Sequence, residues 1–390
     1  MGRIIVFTGK GGVGKSSVAA SHAVKAAHEG IRTLIVSTDM AHNLGDIFMI
    51  HMGNEPVSVF ENLDALEIDP DFEMNKRYAN ILAAFDAVMN TGSDNNDEAE
   101  NIVAFPGIEE LFALIRINDI YESGQYDLII VDCAPTGETL ALLKYPEVMS
   151  WYMEKMFPIG KKALRLLRPV SKAIFKLELP DQEAVNDIEK LYMMLINLQK
   201  LLKNREVTSI RIVTIPEKMV VDESKRNYMY MNLYNFNVDA VYINRLLPED
   251  AANEFFSVWK TTQAKYTKEL EYAFSHLPVY KIKWYETDIN GVAGLQRVID
   301  DSLDDKDIFS VRISEENEVY EKTADGYSLS VKMPFADKKE FDLYQSCTDV
   351  IIKTGSFKRS IPLPQTLTGC TISGAKFENS VLKVSFIKEG

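Results

Sequence analysis

Cysteine is scarce in this sequence. The 390 residues hold three, Cys133, Cys347 and Cys370, far apart and without a CxxC pair, so neither a disulfide framework nor a one-chain zinc or iron–sulfur site is supported. A reducing compartment fits best, and a cytoplasmic location is expected. Long apolar runs are missing as well: none reaches the ~18–20 residues that span a bilayer, and the apolar stretch after Met1-Gly2-Arg3 is too short for a signal peptide. Any membrane role must work through a partner or a client. Positive charge is in deficit, with 43 Lys and Arg against 57 Asp and Glu. The resulting net charge of −14 argues against a broad footprint for nucleic acid, and none is expected as a partner.

What is present is a chain of globular composition, long enough for two or three domains. Ile4-Ile5-Val6-Phe7 is a short apolar run ending at Gly9. A helical stretch from Ser16 to His28 follows and stops at Gly30, which reads as strand, loop, helix. Thr33 to Val36, Leu128 to Val131, Arg211 to Ile215, Val238 to Ile243 and Leu277 to Tyr280 repeat the buried-strand pattern, with helical stretches near 223–235 and 250–275. Runs apolar throughout point to a parallel sheet covered on both faces. Residues 1–305 thus read as one doubly wound, mostly parallel α/β unit.

The acidic stretch 300–307 interrupts this alternation as a solvated linker would, and beyond it the period changes to two. Tyr327, Leu329 and Val331 alternate with Ser and Lys. Val350 to Ile352, Ile361 to Leu363 and Val381 to Phe386 make further short strands between prolines and glycines. Residues 310–390 are therefore expected to form a small all-β sandwich. The polar, acidic stretch 91–101 reads as a mobile loop.

Gly9-Lys10-Gly11-Gly12-Val13-Gly14-Lys15-Ser16 satisfies GxxxxGK[ST] directly after a strand and before a helix, the context that makes this motif a phosphate-binding loop. Small residues let backbone N–H groups turn inward around phosphate oxygens, and the positive end of the following helix adds to the attraction. Lys15 is expected on the β- and γ-phosphates, Ser16 on Mg²⁺, and Ser17 beside it among the nucleotide contacts. ATP and ADP are the ligands such a loop serves.

With Lys10 the loop takes the form KGGVGKS, which resembles the deviant Walker A ATPases. In that group the extra lysine reaches across a nucleotide-sandwich dimer, and the resemblance implies that this chain works as a homodimer. Ser37-Thr38-Asp39-Met40-Ala41-His42-Asn43-Leu44-Gly45-Asp46 resembles switch I of the ArsA family. A carboxylate at a strand end facing the γ-phosphate can orient water, so Asp39 is the expected catalytic group with Lys10 and Lys15. Asp132-Cys133-Ala134-Pro135-Thr136-Gly137-Glu138-Thr139-Leu140 is similar to the family's switch II. By that resemblance Asp132 holds Mg²⁺ through water and the Gly137 N–H senses the γ-phosphate. Val241-Tyr242-Ile243-Asn244 resembles the segment whose asparagine reads adenine, an edge that its side-chain amide can match as donor and acceptor. Thr214 to Arg226 resembles a further family stretch for which no role is assigned.

The resemblance extends to the arsenical pump-driving ATPases and the tail-anchored-protein-targeting ATPases. It implies a P-loop fold with a helical insertion over 147–204. Met149, Met153 and Met156 recur there at helical spacing, followed by Ala184, Ile188, Leu191, Leu195, Leu198 and Leu202. Two structures fit that segment: a groove for a hydrophobic client polypeptide or membrane-anchor helix, or a helical layer packed on the core or in the dimer interface. Arg359 to Pro364 and Leu382 to Phe386 resemble the α-crystallin-like domain appended to some bacterial ArsA ATPases. The function expected is nucleotide-driven opening and closing on such a client, with a membrane receptor or pump as a further partner. The alternative is the energy-coupling subunit of an arsenite or antimonite efflux pump.

Overall fold

The computed structural model describes residues 2–39, 43–80, 108–133, 182–248, 254–312, 316–324, 326–337, 341–346, 349–355, 357–367 and 369–388. In chain order the first elements are β1 (Arg3–Thr8), α1 (Lys15–His28), β2 (Thr33–Ser37), α2 (Asn43–Phe48), β3 (Val57–Phe60) and β4 (Leu63–Glu67). They are followed by α3 (Pro70–Phe72), continued as a π-helical turn over Glu73–Arg77, then α4 (Ile108–Glu122), β5 (Leu128–Asp132) and α5 (Gln182–Lys203). Next come β6 (Thr208–Thr214), α6 (Lys218–Leu233), β7 (Val238–Leu246), α7 (Glu254–Ala273), β8 (Val279–Lys283) and α8 (Gly291–Ser302). The remaining strands are β9 (Glu318–Thr323), β10 (Gly326–Lys332), β11 (Phe341–Gln345), β12 (Asp349–Thr354), β13 (Phe357–Pro362), β14 (Cys370–Glu378) and β15 (Val381–Lys388). Residues 91–101 and 147–181 lie outside the described residues.

The chain divides into two compact units. The first comprises Met1–Val6, Ser16–Thr208 and Ile289–Ile299, and the second Phe7–Lys15, Ser209–Asp288 and Asp300–Gly390. In the first unit the strand order is β3-β4-β2-β5-β1. β2 lies parallel to both β4 and β5, and β3 pairs antiparallel with β4. Every residue of β1, β2 and β5 is buried, as strands covered on both faces must be. The hairpin β3–β4 escapes the sequence pattern because β3 is only half-buried. Along α5, Leu191, Leu195, Leu198 and Leu202 are buried while Met193 is exposed, so the expected stripe faces the protein over the part of the insertion that is described.

In the second unit β6, β7 and β8 are parallel neighbours. After them every described pairing is antiparallel, in a four-stranded sheet β14-β15-β10-β9 and a three-stranded sheet β11-β12-β13. Leu329, Val331, Val350, Ile352, Ile361, Leu382, Val384 and Phe386 are all buried, the alternation that half-covered strands require. The fold is thus a mostly parallel α/β sheet followed by antiparallel β sheets.

A fully buried cation organises this second unit. Arg211 on β6 has no exposed surface, and its Nε donates to Asp239 Oδ1 at 3.1 Å, its Nη1 to the Tyr242 hydroxyl at 3.1 Å and its Nη2 to the Ile308 carbonyl. The acidic stretch 300–307, read as solvated from its charge, is anchored. Leu303 and Ile308 are buried, and the Asp305 carboxylate accepts from Tyr280 and, at 2.7 Å, from Arg312. Further on, Arg359 of β13 is buried, donates to the Leu233 carbonyl at the end of α6 and pairs with Glu318 at 2.7 Å. A cation at a helix C-terminus is favourably placed. Tyr230 of α6 packs on Phe357 with ring centroids 3.7 Å apart.

Replacing Asp239 by Asn should leave the Arg211 guanidinium buried without its counter-charge and destabilise the protein by about 3–5 kcal/mol, read from urea unfolding. The hydrogen bond from Tyr280 and then that from Arg312 pull the Asp305 pKa down to about 2. A depressed carboxylate stabilises the fold above its unfolded value of ~3.9 and stops doing so as pH falls through the folded one. The stability difference between wild type and Asp305→Asn should therefore shrink as pH falls from about 4 to about 2.

Candidate active site

In the second unit β1 runs out at Thr8 and the glycine loop turns against the ends of β6 and β7. A β-carbon at Gly9 would lie 2.1 Å from the Val213 carbonyl oxygen, and one at Gly14 would lie 2.4 Å from Asn244 Nδ2. Gly14 also has φ +89°, a conformation that side chains resist. Val13 is buried, Gly11 and Gly12 are exposed, and Lys15 is buried with its Nζ 3.5 Å from the Lys10 carbonyl. The loop is thus packed from behind and open in front. α1 starts at Lys15 and has no acidic residue in its first turn, so nothing on the helix itself neutralises its positive end. A phosphate fits this cradle.

The two loop lysines differ. Lys15 is 6% exposed, whereas the Lys10 side chain is 34% exposed with its Nζ 3.4 Å from Glu223 Oε2. Glu223 lies on α6 within the Thr214–Arg226 stretch, to which sequence reading assigned no role. Asn244 is 8% exposed and donates from Nδ2 to the Val13 carbonyl at 2.8 Å. The residue expected to read the base therefore also touches the phosphate loop.

In the first unit, three strand ends hold the switch I residues. The Thr38 N–H donates to the Asp132 carbonyl at 3.0 Å, the Ile68 N–H to the Ser37 carbonyl at 3.0 Å, and the Asp39 N–H to Ser37 Oγ at 3.1 Å. Asp132 is fully buried and Asp39 partly exposed. Thr38 Oγ1 is buried and has no hydrogen-bond partner among the described residues. Ser16 and Ser17 are partly exposed at the start of α1. Among the described residues no group of three or more His, Cys, Asp and Glu is set to hold a metal. Mg²⁺ needs no such cage, since it keeps water and takes oxygens from phosphate with one or two protein ligands. A serine hydroxyl and a buried aspartate are donors of the required kind.

Sequence reading missed Glu67. It is 8% exposed at the end of β4, and its Oε1 accepts from the Gly45 N–H at 2.9 Å. It thereby caps the first turn of α2 from a neighbouring strand, which suits a carboxylate at a helix N-terminus. A β-carbon on Gly45 would lie 3.2 Å from the Ile50 carbonyl. The only sequence signal was an acid closing the short strand Leu63-Asp64-Ala65-Leu66-Glu67. Met40 to His42, Gly137, Glu138 and Met149 to Met156 lie outside the described residues, as does Cys347. Cys133 and Cys370 are buried.

A glycine loop between a buried strand and a helix, carrying a buried lysine, marks a nucleotide-binding protein of the phosphate-loop class. The match to the family described as anion-transporting ATPase covers residues 2–304, and a model described as an HSP20-like domain found in ArsA covers residues 324–386. The chain belongs to the ArsA ATPase family and is an ATPase. A protein of Chlorobaculum tepidum, provisionally named an arsenical pump-driving ATPase, is 35% identical over 387 residues, 98% of this chain and 96% of that one. One from Aquifex aeolicus, with the same provisional name numbered 1, is 31% identical over 392 residues, 98% and 99% of the two chains. The ATPase ASNA1 homolog 1 of Paramecium tetraurelia is 30% identical over 298 residues, 75% of this chain and 90% of that one.

Glu67→Ala should leave the Gly45 N–H without its acceptor and cost about 1–3 kcal/mol in thermal or urea unfolding. Glu67→Gln, which keeps an acceptor oxygen, should cost less.

Proposed function

We propose that this ATPase works as a Mg²⁺-dependent homodimer whose nucleotide-driven closing and opening controls the binding of a hydrophobic client. The observation that carries this reading is the contrast between the two loop lysines. Lys15 is buried within its own loop, and Lys10 is one-third exposed with its amine turned to Glu223. A partly exposed amine supports the cross-dimer role that the resemblance to the sandwich-dimer ATPases implies.

Asp39 orients a water for in-line attack on the γ-phosphorus, and the bond from that phosphorus to the bridging oxygen breaks to leave ADP and phosphate. Lys15 of one subunit and Lys10 of the other offset charge on the transferring oxygens. Ser16 and Asp132 are the residues that would hold Mg²⁺, which supplies further charge neutralisation when bound. Gly137 senses the γ-phosphate, and Asn244 contacts the base. Residues 147–204 are proposed as the client-facing segment, with the client a polypeptide or membrane-anchor helix. A targeting role follows from the resemblance to the tail-anchored-protein-targeting ATPases, and no described helix is long and apolar enough to cross a membrane itself. The proposed location is the cytoplasm. Residues 310–390 are proposed as an α-crystallin-like domain following the ATPase domain at 1–305.

A second reading has support of its own. Two near-full-length relatives carry arsenical pump names, which favours coupling to an arsenite or antimonite efflux pump. Stimulation of ATP hydrolysis by arsenite would select that reading over the client one.

Asp39→Asn should bind ATP yet hydrolyse it ~10²–10⁴-fold more slowly in a steady-state phosphate-release assay; unchanged turnover removes Asp39 from the water-orienting position. Wild type should sediment as a dimer with Mg²⁺ and a slowly hydrolysed ATP analogue, and Lys10→Ala as a monomer. A helix-bearing client should co-purify with Asp39→Asn trapped in ATP. Recovery of the trapped dimer with nothing bound counts against the client.

A further inference from the structure

We infer that Asn244 is a positioning residue for the phosphate loop, holding its backbone whatever base the nucleotide carries. Where successive N–H groups turn toward a phosphate, the carbonyls of the same peptides turn away from it, and each buried one needs its own donor. Val13 is 1% exposed, and the donor to its carbonyl is Asn244 Nδ2 at 2.8 Å, from a residue 231 positions away in sequence.

The strand is built to aim that amide. β7 pairs with β8 in regular parallel register through Ile243 and Lys281, then resumes at Leu246 and Lys283, three steps on β7 against two on β8. The extra residue is a β-bulge, a device that re-aims a side chain out of a regular ladder. Arg245 within it has φ +57°, an uncommon conformation for a residue with a β-carbon. Two side chains hold the bulge. Asn244 Oδ1 accepts from the Arg245 N–H at 2.9 Å. Gln263 on α7 brackets the far side, donating from Nε2 to the Arg245 carbonyl at 3.1 Å and accepting at Oε1 from the Leu247 N–H at 2.9 Å.

The contact also explains a motif glycine. A methyl at position 14 would meet Asn244 Nδ2 at 2.4 Å, so the side chain and the loop are fitted to each other. One N–H and one acceptor site of the carboxamide are committed within the chain. A base can use only what is left, so reading adenine, as proposed above, is an addition to the loop contact and does not replace it. This inference rests on the loop binding a triphosphate, and neither on the dimer nor on the client.

The test uses full-length wild type, Asn244→Ala and Gln263→Ala. Deuterium uptake by a peptide covering residues 8–16 is measured without nucleotide, and affinities are measured for ATP, for ITP, which lacks the 6-amino group, and for inorganic triphosphate. In Asn244→Ala the loop should exchange several-fold faster, and all three affinities should fall by a similar factor on the order of ten, as expected for one lost buried hydrogen bond. A loss confined to ATP, with loop exchange and triphosphate affinity unchanged, overturns the inference and leaves Asn244 a base reader alone. So does no change at all. If Asn244→Ala fails to fold cooperatively, Gln263→Ala decides. It keeps the amide and loosens the bulge, so faster loop exchange with a smaller loss shared by all three ligands supports the inference, and wild-type behaviour overturns it. Wild type that bound none of the three would overturn the nucleotide site itself, and loop exchange would still decide the role of Asn244.

Discussion

The phosphate loop has no room behind it for even one β-carbon at its two ends. The Val213 carbonyl at the edge of Gly9 and the Asn244 amide at the edge of Gly14 close off that space, so the loop's backbone must face the other way. Gly11 and Gly12 are exposed on the open side, and an anion is what a glycine loop at a helix start attracts. Both backing groups sit near the ends of strands that are buried throughout in β6 and through Asn244 in β7. The shape of the loop is therefore enforced by the sheet, and flexibility in the glycines serves only to let them accept it.

The switch I side rests on strand ends in a comparable way. Backbone bonds from Thr38 to Asp132 and from Ile68 to Ser37 join β2 to β5 and β4, and Glu67 extends the hold to the first turn of α2. The water-orienting role proposed for Asp39 needs a reproducible placement, because orientation supplies much of the rate. Asp39 leaves β2 two residues past that junction, with its own N–H tied back to Ser37 Oγ. The segment that follows is where the family's nucleotide response is expected, and anchoring on both sides of it is what a switch requires.

The C-terminal β strands are joined to α6 by bonds that a loosely tethered appendage would lack. Arg359 gives up most of its hydration to reach the Leu233 carbonyl and Glu318, a cost repaid only where the geometry is maintained. Arg211 does the same for the segment around Ile308. α6 itself carries Glu223, the partner of Lys10. One helix thus touches the exposed loop lysine and the appended strands.

Much of this was present in the residues themselves. The loop, the buried strands β1, β2, β5, β6 and β7, and the parallel character of the sheet follow from glycine spacing and unbroken apolar runs, since backbone sterics and the burial of strands on both faces act locally. Half-buried strands such as β3 and β11, with mixed surroundings, left no comparable trace. At 300–307 charge foretold the exposure of Asp300, Asp301, Asp304, Lys306 and Asp307, but an average over composition cannot say that Leu303 and Ile308 turn inward while Asp305 finds Tyr280 and Arg312. Only the folded chain decided that Glu67 caps α2, that Glu223 meets Lys10, and that a bulge turns Asn244 onto Val13. Each is a contact between residues distant in sequence and fixed by strand register, and register is settled when the whole sheet packs.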